Sequence, residues 1–104
     1  MKEAEITESG SALIVRLCCE IDHHAAKIIR EAVDERIFAV SPREVVFDFS
    51  GVSFMDSSGI GLVLGRVEKA ERVDACVKII GLSPHLRKLV RISGIEKLDR
   101  IKVL

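Results

Sequence analysis

The sequence predicts an α/β domain spanning residues 1–104: a mixed sheet of four or five strands in the order β-β-α-β-α-β-α-β, with helices packed on it. Three observations carry this. Short β-branched apolar runs alternate with longer segments whose apolar residues recur at helical spacing. Asp or Ser stands at the start of each helical segment, where capping side chains belong. Only the first two runs are close enough for a hairpin; the later ones require crossovers, which makes the rest of the sheet parallel.

Taken in order, Glu3–Glu8 is an edge strand, and Ser9-Gly10-Ser11 turns it into Ala12–Cys19, an apolar run too short for a helix. Asp22 then caps a helix. Ala25, Ile28, Ile29, Ala32, Val33 and Ile37 form its apolar face, with Lys27, Arg30, Glu31 and Asp34 between them. It stops before Ser41-Pro42, because the residue preceding a proline avoids helical geometry. Val45–Phe49 is a short buried strand, and Gly51–Met55 a loop. Asp56-Ser57-Ser58 starts a second helix that continues through Ile60–Ala70 despite its glycines. Cys76–Ile80 is the next strand. Ser83 caps a third helix with Pro84 at its first position, where a missing N–H costs nothing. Leu86, Leu89 and Val90 make its apolar stripe, Arg87, Lys88 and Arg91 its wet face, and Gly94 closes it. Ile101–Leu104 forms a last short strand.

Composition narrows the function. Sixteen basic and sixteen acidic side chains balance, so no global field favours nucleic acid or an anionic membrane. Tryptophan and tyrosine are absent, which removes the usual base-stacking platform. No apolar run approaches the ~20 residues of a bilayer span, and Met1-Lys2-Glu3-Ala4-Glu5 has no signal-peptide stretch behind it. These features describe a small cytoplasmic domain. Cys18, Cys19 and Cys76 are odd in number and lack C-x-x-C spacing, so they are expected to be reduced and buried.

Ser53-Phe54-Met55-Asp56-Ser57-Ser58-Gly59-Ile60-Gly61 is the most unusual segment. It places two hydroxyls at a helix start, where unpaired N–H groups and a partial positive charge stabilise an anion. Gly59 and Gly61 would let another backbone approach closely; ordinary capping by Asp56 or Ser57 is the structural alternative. A hydrolase is disfavoured: Met55 and Asp56 occupy the first-glycine position of G-x-S-x-G for Ser57 and Ser58. No lysine follows the glycine, as a phosphate-binding loop requires. Glu20-Ile21-Asp22-His23-His24 has the composition of a metal cluster, but adjacent side chains diverge and no second cluster completes a tetrahedron. Asp22 as a cap with exposed histidines after it is the simpler reading. Its turn and the Asp56 turn both lie at strand C-terminal ends, the edge where open α/β sheets meet ligands and partners. The apolar pair Phe54-Met55 is expected to tuck into the core, with partner anchoring as the alternative. No catalytic residue, metal or cofactor is expected.

Phe54–Gly61, with Glu20–His24 upstream and Ser83-Pro84 downstream, resembles the STAS domain of bacterial anti-sigma factor antagonists, the sporulation antagonists above all. The resemblance covers nearly the whole chain. It implies a protein switch rather than an enzyme, with Ser57, the first serine of D-S-S-G, as phosphoacceptor. The implied partners are an anti-sigma factor that is itself a serine kinase, and a serine phosphatase that reverses the modification. The unmodified antagonist binds the kinase and frees the sigma factor; the phosphorylated form is released. Partner contacts implied by the same match are Asp22, His23, Asp56, Ser58, Gly59, Ile60, Gly61 and Leu89, in a monomer that binds neither nucleic acid nor membrane. A stress-response or stressosome-type regulator is the alternative within the family, and a small serine-dependent or nucleotide-hydrolysing enzyme the alternative outside it. Two features depart from the family pattern. Its further C-terminal helix has no counterpart after Ile101–Leu104, and Val73-Asp74 replaces a common glycine pair, a change read as neutral.

Overall fold

A computed structural model describes residues 1–104. The elements are β1 (Ala4–Ser9), β2 (Ala12–Leu17), α1 (His23–Val40), β3 (Glu44–Asp48), α2 (Ser57–Arg72), β4 (Cys76–Ile80), α3 (Pro84–Ser93), a single 3-10 turn (Ile95–Lys97) and β5 (Ile101–Val103). The five strands follow one another across the sheet in sequence order. β1 and β2 pair antiparallel, and β2 through β5 are parallel. The predicted element order is realised in full, with five strands.

The topology fixes where the core lies. Each parallel crossover steps one strand in the same direction, and right-handed crossovers repeated that way place every helix on the same face of the sheet. The pleat agrees. Leu13, Val15 and Leu17 of β2 align with Val45 and Phe47 of β3 and with Val77 and Ile79 of β4, and all are buried beneath the helices. α1 contributes Ala25, Ile29, Val33 and Ile37, α2 contributes Leu62, Val63, Val67 and Ala70, and α3 contributes Leu86 and Val90. The result is one continuous core of 25 buried apolar residues. The opposite sheet face shows Arg16, Cys76 and Lys102 to solvent. Val46 is buried on that side but stands outside the main core, beside a Glu44–Lys78 ion pair of 2.8 Å.

Several expectations change. The cysteines are free, but they are not buried: Cys18 and Cys76 are exposed and Cys19 is half-buried. The pleat decides this. Val77 and Ile79 face inward, so Cys76 faces out, and Cys18 lies just past Leu17, the last residue of β2. Arg87 is more than a wet-face residue, because its Nη2 donates to the Leu104 carbonyl at 2.8 Å and ties α3 to the end of β5. Val73-Asp74 is not neutral either: Asp74 takes a left-handed φ of 57°, a conformation glycine adopts without penalty. Arg100 Nη2 donates to Asp74 Oδ1 at 3.1 Å across that turn.

Candidate functional site

Beyond the ends of β2 and β3 the chain continues in parallel and makes one further bridge, between Ile21 and Met55. Ile21 N–H donates to the Phe54 carbonyl at 3.0 Å, and Asp56 N–H donates to the Ile21 carbonyl at 3.2 Å. Both bridging side chains are buried, which anchors the bridge in the core. The next residue on each strand is an aspartate. Asp22 and Asp56 adopt nearly the same extended cap geometry, with φ of −105° and −97°. Asp22 Oδ1 accepts from Ala25 N–H at 2.8 Å, and Asp56 Oδ1 accepts from Ser58 N–H at 2.7 Å. Two helix starts, each capped by a carboxylate, are thus held side by side at the C-terminal edge of the sheet, as the sequence suggests.

Ser57 is the first residue of α2 and is exposed, so a visiting enzyme can reach its hydroxyl. Asp22, His23 and Asp56 are exposed around it, Ser58 and Ile60 are half-buried, and Gly61 is exposed with open space where a side chain would be. Gly59 behaves differently from the expectation. It is buried, and a Cβ there would lie 2.6 Å from Met55 Sδ, so the glycine makes room for the protein's own core rather than for a partner. The Phe54-Met55 pair splits accordingly: Met55 is buried, whereas Phe54 is 48% exposed beside the serines. Leu89 stands apart on α3, half-buried against the core, and no hydrogen bond ties it to the turn.

The local field at this edge is negative. Burial raises the Cys19 thiol pKa above its ordinary value, and the carboxylates of Glu3, Asp22 and Glu20 raise it further. Behind the serines, by contrast, α1 and α2 leave a groove of about 330 Å³ whose lining includes His23, Lys27, Arg30 and Arg66. Arg66 is 4% exposed. Its Nε sits 2.7 Å from Asp34 Oδ1, and Nη1 donates to the Leu62 carbonyl at 3.2 Å. Burial lowers the Arg66 pKa, and Asp34 opposes that shift. The sequence reading missed this pair. Its signal was an arginine at a core position of the Leu62, Val63, Val67, Ala70 stripe.

A family model of the STAS domain matches residues 3–103. The chain belongs to the STAS family. Among curated STAS relatives, an anti-sigma F factor antagonist from Lysinibacillus sphaericus is 40% identical over 83 residues, covering 80% of this chain and 71% of the relative. The solved structure of the antagonist SpoIIAA in its unphosphorylated form superposes with a TM-score of 0.84 at 32% identity, covering 97% of this chain and 87% of that one. The Bacillus cell fate determinant SpoIIAA in its phosphorylated form gives 0.75 at 32% identity, over 97% and 90% of the two chains. The STAS fold explains the five-stranded mixed sheet, and these STAS relatives are named as regulators.

Proposed function

We propose that this STAS domain is an anti-sigma factor antagonist of the sporulation type, whose docking to an anti-sigma serine kinase is switched off by phosphorylation of Ser57. The observation that carries the reading is the exposed Ser57 hydroxyl at the first position of α2, between two carboxylate-capped helix starts. The similarity to an anti-sigma F factor antagonist and to SpoIIAA in both modification states supports it.

The physics of the switch is local. The kinase transfers the terminal phosphoryl group of its ATP to Ser57 Oγ, forming an O–P bond as the bond to ADP breaks. The product carries roughly −1.5 to −2 charges at neutral pH. Helix N–H groups stabilise that charge by up to ~2 kcal/mol, so α2 stays folded. Asp22 and Asp56 lie beside it, and burying such a negative patch against a partner without a counter-charge costs several kcal/mol. At about 1.4 kcal/mol per tenfold, docking weakens by two or more orders of magnitude without any conformational change. The exposed contacts are Asp22, His23, Asp56 and Gly61, with Ser58 and Ile60 at their base and Leu89 at the margin. A serine phosphatase restores the unmodified form, and the setting is the cytoplasm, with the antagonist acting as a monomer and without catalysis of its own.

Intact-mass analysis after incubation with the cognate kinase and ATP, followed by site mapping, tests the reading. One phosphate at Ser57 is expected, together with at least a tenfold loss of kinase affinity in Ser57→Asp. Phosphate at another residue, or equal affinities, would overturn it.

A further inference from the structure

The groove between α1 and α2 adjoins the Ser57 docking face and shares His23, Ser58 and Gly61 with it, but its floor and walls carry cations that the Ser57 switch does not use. Its lining holds Lys27 and Arg30 from α1, Arg66 from α2 and His23 at the mouth, with Ser58 beside it and no carboxylate. Arg66 is the unusual member. Its side chain is only 5% exposed and is held from inside the fold, Nη1 donating to the Leu62 carbonyl and Nε lying against Asp34, while the residue still contributes to the groove lining. Nε lies 2.7 Å from Asp34 Oδ1, so the carboxylate holds the guanidinium from the α1 side. Arg30 is close enough to Arg66 for like-charge repulsion to depress the Arg66 pKa.

The glycines of α2 give an independent indication. Gly59 is required by Met55, but Gly61 and Gly65, which both line the groove, have nothing within 4 Å of a built Cβ and no positive φ. Each weakens α2 relative to alanine, and nothing inside the fold requires either. Both stand on the groove lining, where a side chain would extend into open space.

We propose that the α1–α2 groove is a phosphate-binding subsite, taking inorganic phosphate or a phosphomonoester between Lys27, Arg30 and Arg66. A dianion matches a lining of three permanent cations without an acid, and its tetrahedral oxygens can accept from donors on both helices at once. A carboxylate suits the groove less well, because Asp34 already supplies one to Arg66 from the α1 side.

Amide chemical-shift titration of the full chain with inorganic phosphate, at pH 7.5 and constant ionic strength, tests the proposal. Saturable shifts centred on Lys27, Arg30, Ser58 and Gly65 are expected. Lys27→Gln/Arg30→Gln should weaken binding at least tenfold, and Gly65→Leu, which fills the groove, should abolish it. A parallel titration with glycerol phosphate distinguishes an ester ligand, which would bind more tightly than inorganic phosphate, from the free ion. Non-saturating shifts, binding unchanged by the double substitution, or acetate binding as tightly as phosphate would each overturn it. Because Ser57 does not line the groove, Ser57→Ala should bind phosphate like the wild type; this subsite and the Ser57 switch can therefore fail separately.

Discussion

Replacing Asp34 with alanine should be among the most damaging single changes available outside the apolar core. Arg66 is 4% exposed between α1 and α2, and Asp34 is its only charged neighbour within ion-pair distance. Removing one partner of a fully enclosed pair costs about 3–5 kcal/mol, because the remaining charge is left in a poor solvent. The Asp34 side chain is 23% exposed, so water can enter from that side and soften the loss. A cost of about 2–3 kcal/mol follows, which at ~4–8 °C per kcal/mol for a domain of this size lowers Tm by roughly 10–20 °C. The opposite outcome holds for the double replacement Asp34→Ala/Arg66→Met. Burial, helped by repulsion from Arg30, depresses the Arg66 pKa despite Asp34, so the buried guanidinium remains costly even when paired. Removing both charges should recover stability to within about 1 kcal/mol of the wild type. With no tryptophan or tyrosine in the chain, far-UV circular dichroism in urea is the suitable assay. An Asp34→Ala cost below 1 kcal/mol, or a double variant no more stable than Asp34→Ala, would refute the reasoning.

Five further outcomes are expected. Asp56→Ala removes the acceptor of the 2.7 Å bond from Ser58 N–H and should destabilise the fold by about 1 kcal/mol in the same urea assay. Gly59→Ala forces a Cβ to within 2.6 Å of Met55 Sδ and should cost about 1–3 kcal/mol, read as a lower urea midpoint. Ser41 ends α1 with a left-handed φ of 48°, so Ser41→Gly should raise stability by about 1 kcal/mol, seen as an increase in Tm. Among the thiols, exposed Cys18 and Cys76 should alkylate before Cys19 near pH 8, as counted by peptide mass mapping, because burial and the Glu3 carboxylate disfavour the Cys19 thiolate. The linkage has a definite sign. The unfolded thiol loses its proton first, so the Cys19 contribution to stability falls as pH rises past about 9, and Cys19→Ser should flatten that decline.

The sequence carried the fold because local and global signals coincide. Asp22 and Ser83 cap the helices they are expected to cap, Asp56 rather than Ser57 caps α2, Pro84 sits in the first turn of α3, and Gly94 closes that helix in the left-handed conformation. The adjacency of the Asp22 and Asp56 turns was also legible, since both follow neighbouring parallel strands. What the sequence could not reveal depended on side-chain direction and on pairs distant in the chain. Cys76 reads as apolar in a run of apolar residues, and only the pleat shows that it faces water. Gly59 and Gly61 look alike in D-S-S-G-I-G, yet one is filled by Met55 and the other is open. Asp34 and Arg66 are 32 positions apart on different helices, so neither announces the other. Asp74 in a left-handed turn was invisible because its strain is set by the tight connection from α2 into β4.

The bare side of the sheet has its own consequence. Ile14, Val46 and Ile80 give it enough greasy character to attract a second sheet, but Glu44 and Lys78 clasp each other across adjacent strands in their midst. Any flat surface stacking there would have to strip water from both ends of that clasp, a toll that three aliphatic side chains, already partly or wholly covered, do not offset. Association is thereby discouraged on one side of the molecule and left open at the edge where the helices begin.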